Sequence, residues 1–299
     1  TGSIAAGGTL GILIPPSIML VLMAQQAEIS VGKLFAAAII PGFLLAFLYI
    51  MYILILCNFK PHLAPLVSKH ELSEVSTRKL YLTCAKSLIP PALLVLAVLG
   101  SIFLGFATPT EASALGAFVS LLLIIIYRKF SWLKLYEACI QTAKTNAMVI
   151  FILCGASCFT VVFTSIGGEE IVTKLLVHSG LGKWPVFILM MFIVFLLGMF
   201  IDWLGIVLIC LPIFLPIAEQ LGFNKVWFVT IIAVNLQASF LTPPFGYALF
   251  YLSGITPSDI NIIHIYKGII PFVCLMLFGL FLCVIFPNII LWLPNLIVS

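Results

Sequence analysis

Asn235-Leu236-Gln237-Ala238-Ser239-Phe240-Leu241-Thr242-Pro243-Pro244-Phe245-Gly246 sets a double proline inside an apolar run of membrane-crossing length. A second such string, Gly7-Gly8-Thr9-Leu10-Gly11-Ile12-Leu13-Ile14-Pro15-Pro16-Ser17, stands near the other end of the chain. Proline lacks an N–H and frees a carbonyl one turn earlier. In hydrocarbon an interrupted backbone survives only where protein or a polar cavity satisfies it. Matching Gly/Pro-interrupted segments in two halves of a sequence point to the binding site of a secondary transporter. A single proline kink reads as structural. Two double-proline breaks, each with Thr and Gly, read as an ion or substrate site.

The rest of the sequence agrees with a membrane location. It is 63% hydrophobic and 8% charged, with a mean hydropathy of +1.29, whereas about a quarter of a soluble domain is charged. The expected fold is all-α and polytopic. Residues 4–25 predict an interrupted helix, 34–57 a continuous one, and 58–87 a polar loop holding Lys60, Lys69, Arg78, Lys79 and Lys86. Spans follow at 88–105, 109–127 and 144–165, then a polar connector at 166–184. Residues 185–218 form two apolar arms around Asp202, each shorter than the roughly 20 residues of a crossing. They predict a re-entrant hairpin with Asp202 near its tip. The second interrupted helix is expected at 226–252 and the last crossing at 268–287, ended by Pro287 and Pro294.

Loop charge sets a direction. Cytoplasmic loops are enriched in Lys and Arg, and loops 58–87 and 128–143 (Arg128, Lys129, Lys134) are the two most basic. With both in the cytoplasm, the hairpin opens outward and the two broken helices run antiparallel, as inverted repeats require. Residues 1–57 then end a first repeat and 88–299 form a second, joined by the cytoplasmic loop 58–87. The second copy is preceded by three spans and a hairpin. The chain begins at Thr1 without a counterpart for them, so a fragment lacking an N-terminal segment with an inward-opening hairpin is expected.

The chemistry of the breaks follows from their residue types. Freed carbonyls and the hydroxyls of Thr9 and Thr242 are hard oxygen donors suited to Na⁺. A half-helix N-terminus carries a positive dipole end suited to a carboxylate. The only arginines, Arg78 and Arg128, lie in loops, so an anion must be held by helix ends, hydroxyls and bound cations. Asp202 is a candidate ion ligand by its depth and equally a helix cap by its type. Thr108-Pro109-Thr110-Glu111 reads as a capping sequence. Asn235 and Gln237 read either as interhelical hydrogen bonds or as cavity residues, and their closeness to the break favours the cavity.

Enzyme motifs are absent: His70-Glu71-Leu72-Ser73-Glu74 lacks the second His of a zinc protease motif, and there is no GxSxG or Walker sequence. An intramembrane hydrolase would need a catalytic Ser/His or paired Asp at one membrane depth, and Asp202 has no second intramembrane Asp beside it. No basic run with interleaved aromatics suggests nucleic-acid binding.

The first break, Ala107-Thr108-Pro109-Thr110-Glu111-Ala112 and Leu241-Thr242-Pro243-Pro244-Phe245-Gly246 together resemble the large membrane subunit of TRAP (tripartite ATP-independent periplasmic) transporters, DctM-like, over essentially the whole chain. The resemblance implies an elevator-type carrier of the bacterial inner membrane that imports a small organic carboxylate with Na⁺ as coupling ion and no other cofactor. It implies two protein partners, a periplasmic solute-binding protein and a small membrane subunit, besides the lipid bilayer. Carried over residue by residue, its ion and substrate sites fall on Gly8, Thr9, Gly11 and Pro15 at the first break, on Asp202, and on Asn235, Thr242, Pro243 and Gly246. Trp203-Leu204 after Asp202, and Gln237, Ser239 and Phe245, depart from the pattern of many relatives, so a C4-dicarboxylate does not transfer by default. A stand-alone divalent-anion/Na⁺ symporter and a non-transporting remnant are the competing readings.

Overall fold

The computed structural model describes residues 2–60, 77–177, 180, 182–243, 246, 249, 252, 256 and 262–297. Its helices are α1 (Gly2–Leu13), α2 (Ile18–Gln26), α3 (Val31–Phe59), α4 (Thr77–Phe103), α5 (Pro109–Ile126), α6 (Trp132–Ser165), α7 (Gly168–Val177), α8 (Lys183–Gly198), α9 (Trp203–Gln220), α10 (Lys225–Leu241), α11 (Ile262–Ile285) and α12 (Asn288–Ile297). Six of them are long and apolar enough to cross a membrane, or seven spans if the bent pair α1 and α2 counts as one. The chain is therefore an all-α polytopic membrane protein.

Several helices outrun the spans expected from hydropathy. Helix α4 starts at Thr77 rather than 88, which shortens the expected 58–87 loop; residues 61–76 of that loop lie outside the described residues. Helix α6 starts at Trp132 rather than 144 and carries Lys134, Glu137, Gln141 and Lys144 in its first turns. Hydropathy marks the part of a helix that suits hydrocarbon, whereas backbone hydrogen bonding carries the helix on into polar surroundings. The 166–184 connector holds the amphipathic helix α7, with Glu170 and Lys174 paired at 3.7 Å one turn apart. The last crossing, α11, stops at Ile285 just before Pro287, and the short α12 follows with Pro294 inside it. The Pro287 carbonyl accepts from the N–H groups of Ile290 (3.0 Å) and Leu291 (2.9 Å).

The residues divide into two compact units, 50–141 and 1–49 with 142–299. In the first, α4 and α5 pack together. A Cβ on Gly116 would come 3.0 Å from Val98 Cγ2, and the Tyr127 hydroxyl donates to the Lys86 carbonyl at 3.3 Å. Helix α5 opens with Pro109 in its first turn and a reciprocal capping box. Thr108 Oγ1 accepts the Glu111 N–H at 3.3 Å, while the Glu111 carboxylate accepts the Thr108 N–H at 2.7 Å. The faces of these helices stay apolar and exposed, as at Leu88, Leu93, Leu96 and Phe118.

The second unit is built around α10. Every residue from Val226 to Leu241 is buried, the polar Thr230, Asn235, Gln237 and Ser239 included, so the helix is enclosed on all sides by its neighbours. Helices α1, α2, α8, α9 and α11 pack on it. Their directions follow from paired contacts. Phe187 of α8 stacks on Trp227 at 5.3 Å between ring centroids, Met191 receives a hydrogen bond from Asn235, and Gly198 touches Ser239. Both numbers rise together, so α8 and α10 run parallel. Helix α11 runs against α10. The Trp227 indole N–H donates to the Cys283 carbonyl (3.1 Å), while Leu241, Thr242 and Pro243 face Tyr266, Ile269, Ile270, Val273 and Cys274 across a cavity of about 110 Å³. Helix α1 runs with α11: Gly2 lies on Gly268 and Phe272, while Ile14 reaches Gly42 of α3, beyond Leu45, which packs on Gly279. Helices α1 and α10 are consequently antiparallel, the relation expected of the two broken helices.

Candidate functional site

The first break is narrower than the sequence suggests. Gly7, Gly8, Thr9 and Gly11 all lie inside α1, and only Ile14–Ser17 interrupts the path, with a bend of 41°. The cause is local. Interior glycines weaken a helix by about 1 kcal/mol each without breaking it, whereas Pro15 and Pro16 remove the donors that Gly11 and Ile12 carbonyls would receive. The Ser17 hydroxyl replaces one of them by donating to the Ile12 carbonyl. The same oxygen accepts the Leu20 N–H at 3.4 Å and so caps α2. Pro15 and Thr9 are buried, and the Thr9 hydroxyl donates to the Ala6 carbonyl at 3.0 Å. Gly8 and Gly11 lie on an exposed face, and a Cβ at either would meet no atom within 4 Å.

At the second break α10 ends at Leu241. Proline at 243 and 244 removes the helical donors to the Ser239 and Phe240 carbonyls. Ser239 is compensated by the Thr242 N–H at 3.0 Å, and the Thr242 hydroxyl donates to the Ala238 carbonyl at 2.8 Å. Gly246 has a φ of +43°, and a Cβ there would lie 2.7 Å from the Leu249 side chain, so both backbone and space call for glycine. Pro244, Phe245 and most of the half-helix expected up to 252 lie outside the described residues.

Asp202 lies in the turn between α8 and α9, as expected of a hairpin tip. It occupies the N-cap position of α9 with an extended backbone, and its half-buried carboxylate turns toward the N–H groups of Trp203 and Leu204 without the full geometry of a side-chain cap. Because α8 and α10 run parallel, their C-terminal ends reach the same level. Gly198 and Ser239 touch there, with Asp202 and Thr242 a few residues beyond. Two helix C-termini, each a partial negative charge, thus converge with a carboxylate. The start of α9 supplies the opposite partial charge at the same end. Such a cluster suits a small hard cation, with an anion at the α9 N-terminus.

Asn235 holds the two helices together near their middles. Its side-chain amide donates to the Met191 carbonyl at 2.7 Å and ties α10 to the hairpin arm. It therefore serves as an interhelical hydrogen bond. Gly198 and Ser239 bring the ends of α8 and α10 together, so Asp202 and Thr242-Pro243 each follow from neighbouring helix ends, while Asn235 lies about two turns further back. The first break does not join them, since Gly2, not Pro15, lies beside the stretch of α11 that faces Pro243. The opposite end of the hairpin is apolar. Trp184, Phe187, Phe223 and Trp227 form an aromatic cluster with centroid spacings of 5.2–5.9 Å, and Lys183 stands 4.5 Å from the Phe223 ring centroid.

Sequence reasoning missed Ser17, Gly198 and Ser239. Ser17 carries a readable signal, a hydroxyl two residues after the first of two prolines. The Gly198–Ser239 contact joins positions 41 residues apart, and no local pattern pairs them.

Comparison with known proteins bears on the family of the chain. The family described as "Tripartite ATP-independent periplasmic transporter, DctM component" matches residues 1–289. The chain is 32% identical over 295 residues to a C4-dicarboxylate TRAP transporter large permease protein of Pseudomonas aeruginosa, covering 98% of this chain and 67% of that protein. It is 33% identical over 294 residues to an isethionate TRAP transporter permease of Oleidesulfovibrio alaskensis (96% and 44%) and 29% identical over 306 residues to a sialic acid TRAP transporter permease of Haemophilus influenzae (99% and 47%). The chain thus spans about two thirds of the first of these and less than half of the other two.

Proposed function

We propose a transport role from one premise: the chain belongs to the DctM component family of tripartite ATP-independent periplasmic transporters. It is a multi-pass inner-membrane protein, and its relatives are transporter permeases rather than enzymes. The proposed function is the membrane subunit of a Na⁺-coupled secondary transporter that imports a small organic anion, read from the sequence as a carboxylate. It would work with a periplasmic solute-binding protein and a small membrane subunit, and 1–57 and 88–299 would belong to two inverted repeats of an elevator-type carrier.

One observation supports this reading: Gly198, the last residue of α8, packs on Ser239 in the last turn of α10, so the Asp202 turn and the Thr242-Pro243 break both leave from neighbouring helix ends. Na⁺ is the proposed occupant, held by break carbonyls, the Thr242 hydroxyl and the Asp202 carboxylate. The bound cation and the N–H groups at the start of α9 would then receive the anion, which fits a membrane interior without Arg. Gly8, Thr9, Gly11 and Pro15 are proposed for the corresponding site of the first repeat. The relatives are named for C4-dicarboxylate, isethionate and sialic acid, so the solute is proposed only as a class.

The test is uptake into proteoliposomes holding the full-length permease, its small subunit and its binding protein. Uptake should collapse when the Na⁺ gradient is removed; uptake that persists unchanged refutes coupling. Omitting the binding protein should abolish uptake, and undiminished uptake would favour a stand-alone symporter. If Asp202→Asn and Thr242→Ala both leave the Na⁺ dependence intact, the ion-site assignment fails.

A further inference from the structure

Three helix termini of the 1–49/142–299 unit lie at one level. Lys183 opens α8 and Lys225 opens α10, and the two helices run parallel. Phe187 stacks on Trp227 close to both starts. The Trp227 indole reaches the Cys283 carbonyl, just before α11 ends at Ile285. Charge gathers at the same level. The Lys183 ammonium stands over the Phe223 ring, and Lys225 pairs with Glu219 at 3.6 Å. Such groups are costly in hydrocarbon, whereas Trp and Lys collect where acyl chains give way to water. The bilayer therefore stops at this end of the unit.

Helix α12 follows there. The chain leaves α11 through the exposed Phe286 and Pro287, and α12 packs on α10 as well as on α11. A helix that carried α11 straight on would leave α10 behind, so α12 lies across this end. Its 10 residues span about 15 Å, half of the roughly 30 Å of hydrocarbon, which is too short to cross.

The residues of α12 sort into three sectors. At about 100° per residue, Ile290 and Pro294 share one side, and both are buried. Asn288 and Asn295 share a second, about 130° round from the first, and both are exposed. Trp292 and Leu296 share the third, about 70° beyond the asparagines, and are 58% and 64% exposed. Three sectors call for three media: protein under Ile290 and Pro294, water at the asparagines, hydrocarbon at the tryptophan and leucine. A helix lying along the membrane surface beside the bundle meets all three. A protein partner over the whole exposed side would be a single medium and would leave the split between the Asn pair and the Trp–Leu pair without a cause.

We propose that α12 is an interfacial anchor seated on the phospholipid boundary, with Trp292 and Leu296 sunk about 5–10 Å into the headgroup and upper acyl layer and Asn288 and Asn295 turned to water. So placed, it fixes the depth of the α11 end to which Trp227 is bonded. The inference rests on the membrane location of the chain and not on Na⁺ coupling.

The test is fluorescence quenching by brominated phosphatidylcholines in proteoliposomes holding the full-length permease with its small subunit. The Trp292 signal is the difference between the wild type and Trp292→Phe. It should fall most with bromine high on the acyl chains and less with bromine near their ends, and iodide in the water phase should quench it little. Asn295→Trp in the Trp292→Phe protein should show the reverse, strong quenching by iodide and weak quenching by the brominated lipids. Strongest quenching of Trp292 by bromine near the chain ends would mean that α12 folds into the hydrocarbon. No quenching by any brominated lipid would mean that protein or water covers it. Either result overturns the proposal, as does equal iodide quenching at the two positions. Should Trp292→Phe fail to fold, Leu296→Trp measured against the wild type gives the same depth readout; should Asn295→Trp fail, the Trp292 profile alone decides.

Discussion

Gly198→Ala is predicted to wedge the hairpin off α10, and Ser239→Gly to relieve it. A Cβ on Gly198 would stand 2.1 Å from Ser239 Oγ and 2.7 Å from Ser239 Cβ, with Leu236 Cδ2 next at 3.6 Å. The hydroxyl can rotate away, at the loss of its 2.7 Å bond to the Leu236 carbonyl. The Cβ cannot, so α8 and α10 must part by about 1 Å to reach ordinary carbon contact near 3.5–4.0 Å. Forced overpacking of this kind costs about 1–3 kcal/mol. Ser239→Gly alone has the opposite logic: it removes a side chain from a helix interior and costs about 0.5–1 kcal/mol. In the Gly198→Ala background it removes both clashing atoms. The same substitution is thus expected to destabilise the wild type and stabilise the variant, with a coupling of more than about 1 kcal/mol. Denaturant unfolding of the four purified full-length proteins in mixed micelles measures this. Additive effects, or a Gly198→Ala variant as stable as the wild type, would refute the claim that this contact sets the distance between hairpin and core helix.

Further outcomes follow from other single contacts. Asn235→Leu removes the bond to Met191 and should cost about 1–2 kcal/mol, read as a lower unfolding midpoint together with weaker Na⁺ dependence of uptake. Ser17→Ala should lower the midpoint more than a lost cap alone, because it also leaves the Ile12 carbonyl without its donor; Ser17→Thr should restore it. Thr108→Ala opens the capping box and should speed hydrogen exchange at the first turn of α5 without affecting transport. Exchange that stays unchanged there would show that the box does not hold that turn.

Much of the fold is legible in the sequence because hydrocarbon leaves few choices. Apolar runs become helices, and double prolines break them at Ile14–Ser17 and after Leu241, although Pro90-Pro91 stays inside the continuous α4. Asp202, the one acid between two short apolar arms, marks the turn between α8 and α9. Hydropathy fails where its own criterion stops applying. It misses the polar first turns of α4 and α6, which stay helical outside the apolar window, and it misses α7, whose apolar residues occupy one face only. The two breaks resemble each other in residue types, yet their compensation differs: Ser17 reaches back across the first, while Thr242 folds onto α10 at the second. That difference depends on side-chain direction, which spacing does not encode. Gly198 and Ser239 lie further out of reach, since the parallel course of α8 and α10 that joins them follows from tertiary packing.

The hairpin is held at both ends by different material. Its root is joined by Trp184, Phe187, Phe223 and Trp227, with the Trp227 indole bonded on to α11. Just past the Asp202 turn, Leu204 and Leu208 pack with Ala156 of α6, and Leu22 of α2 and Trp203 lie against them. Rings grip one end and mostly aliphatic chains the other. Tryptophan stands at both, so variants that keep only Trp184 or only Trp203 would read the two ends by fluorescence one at a time.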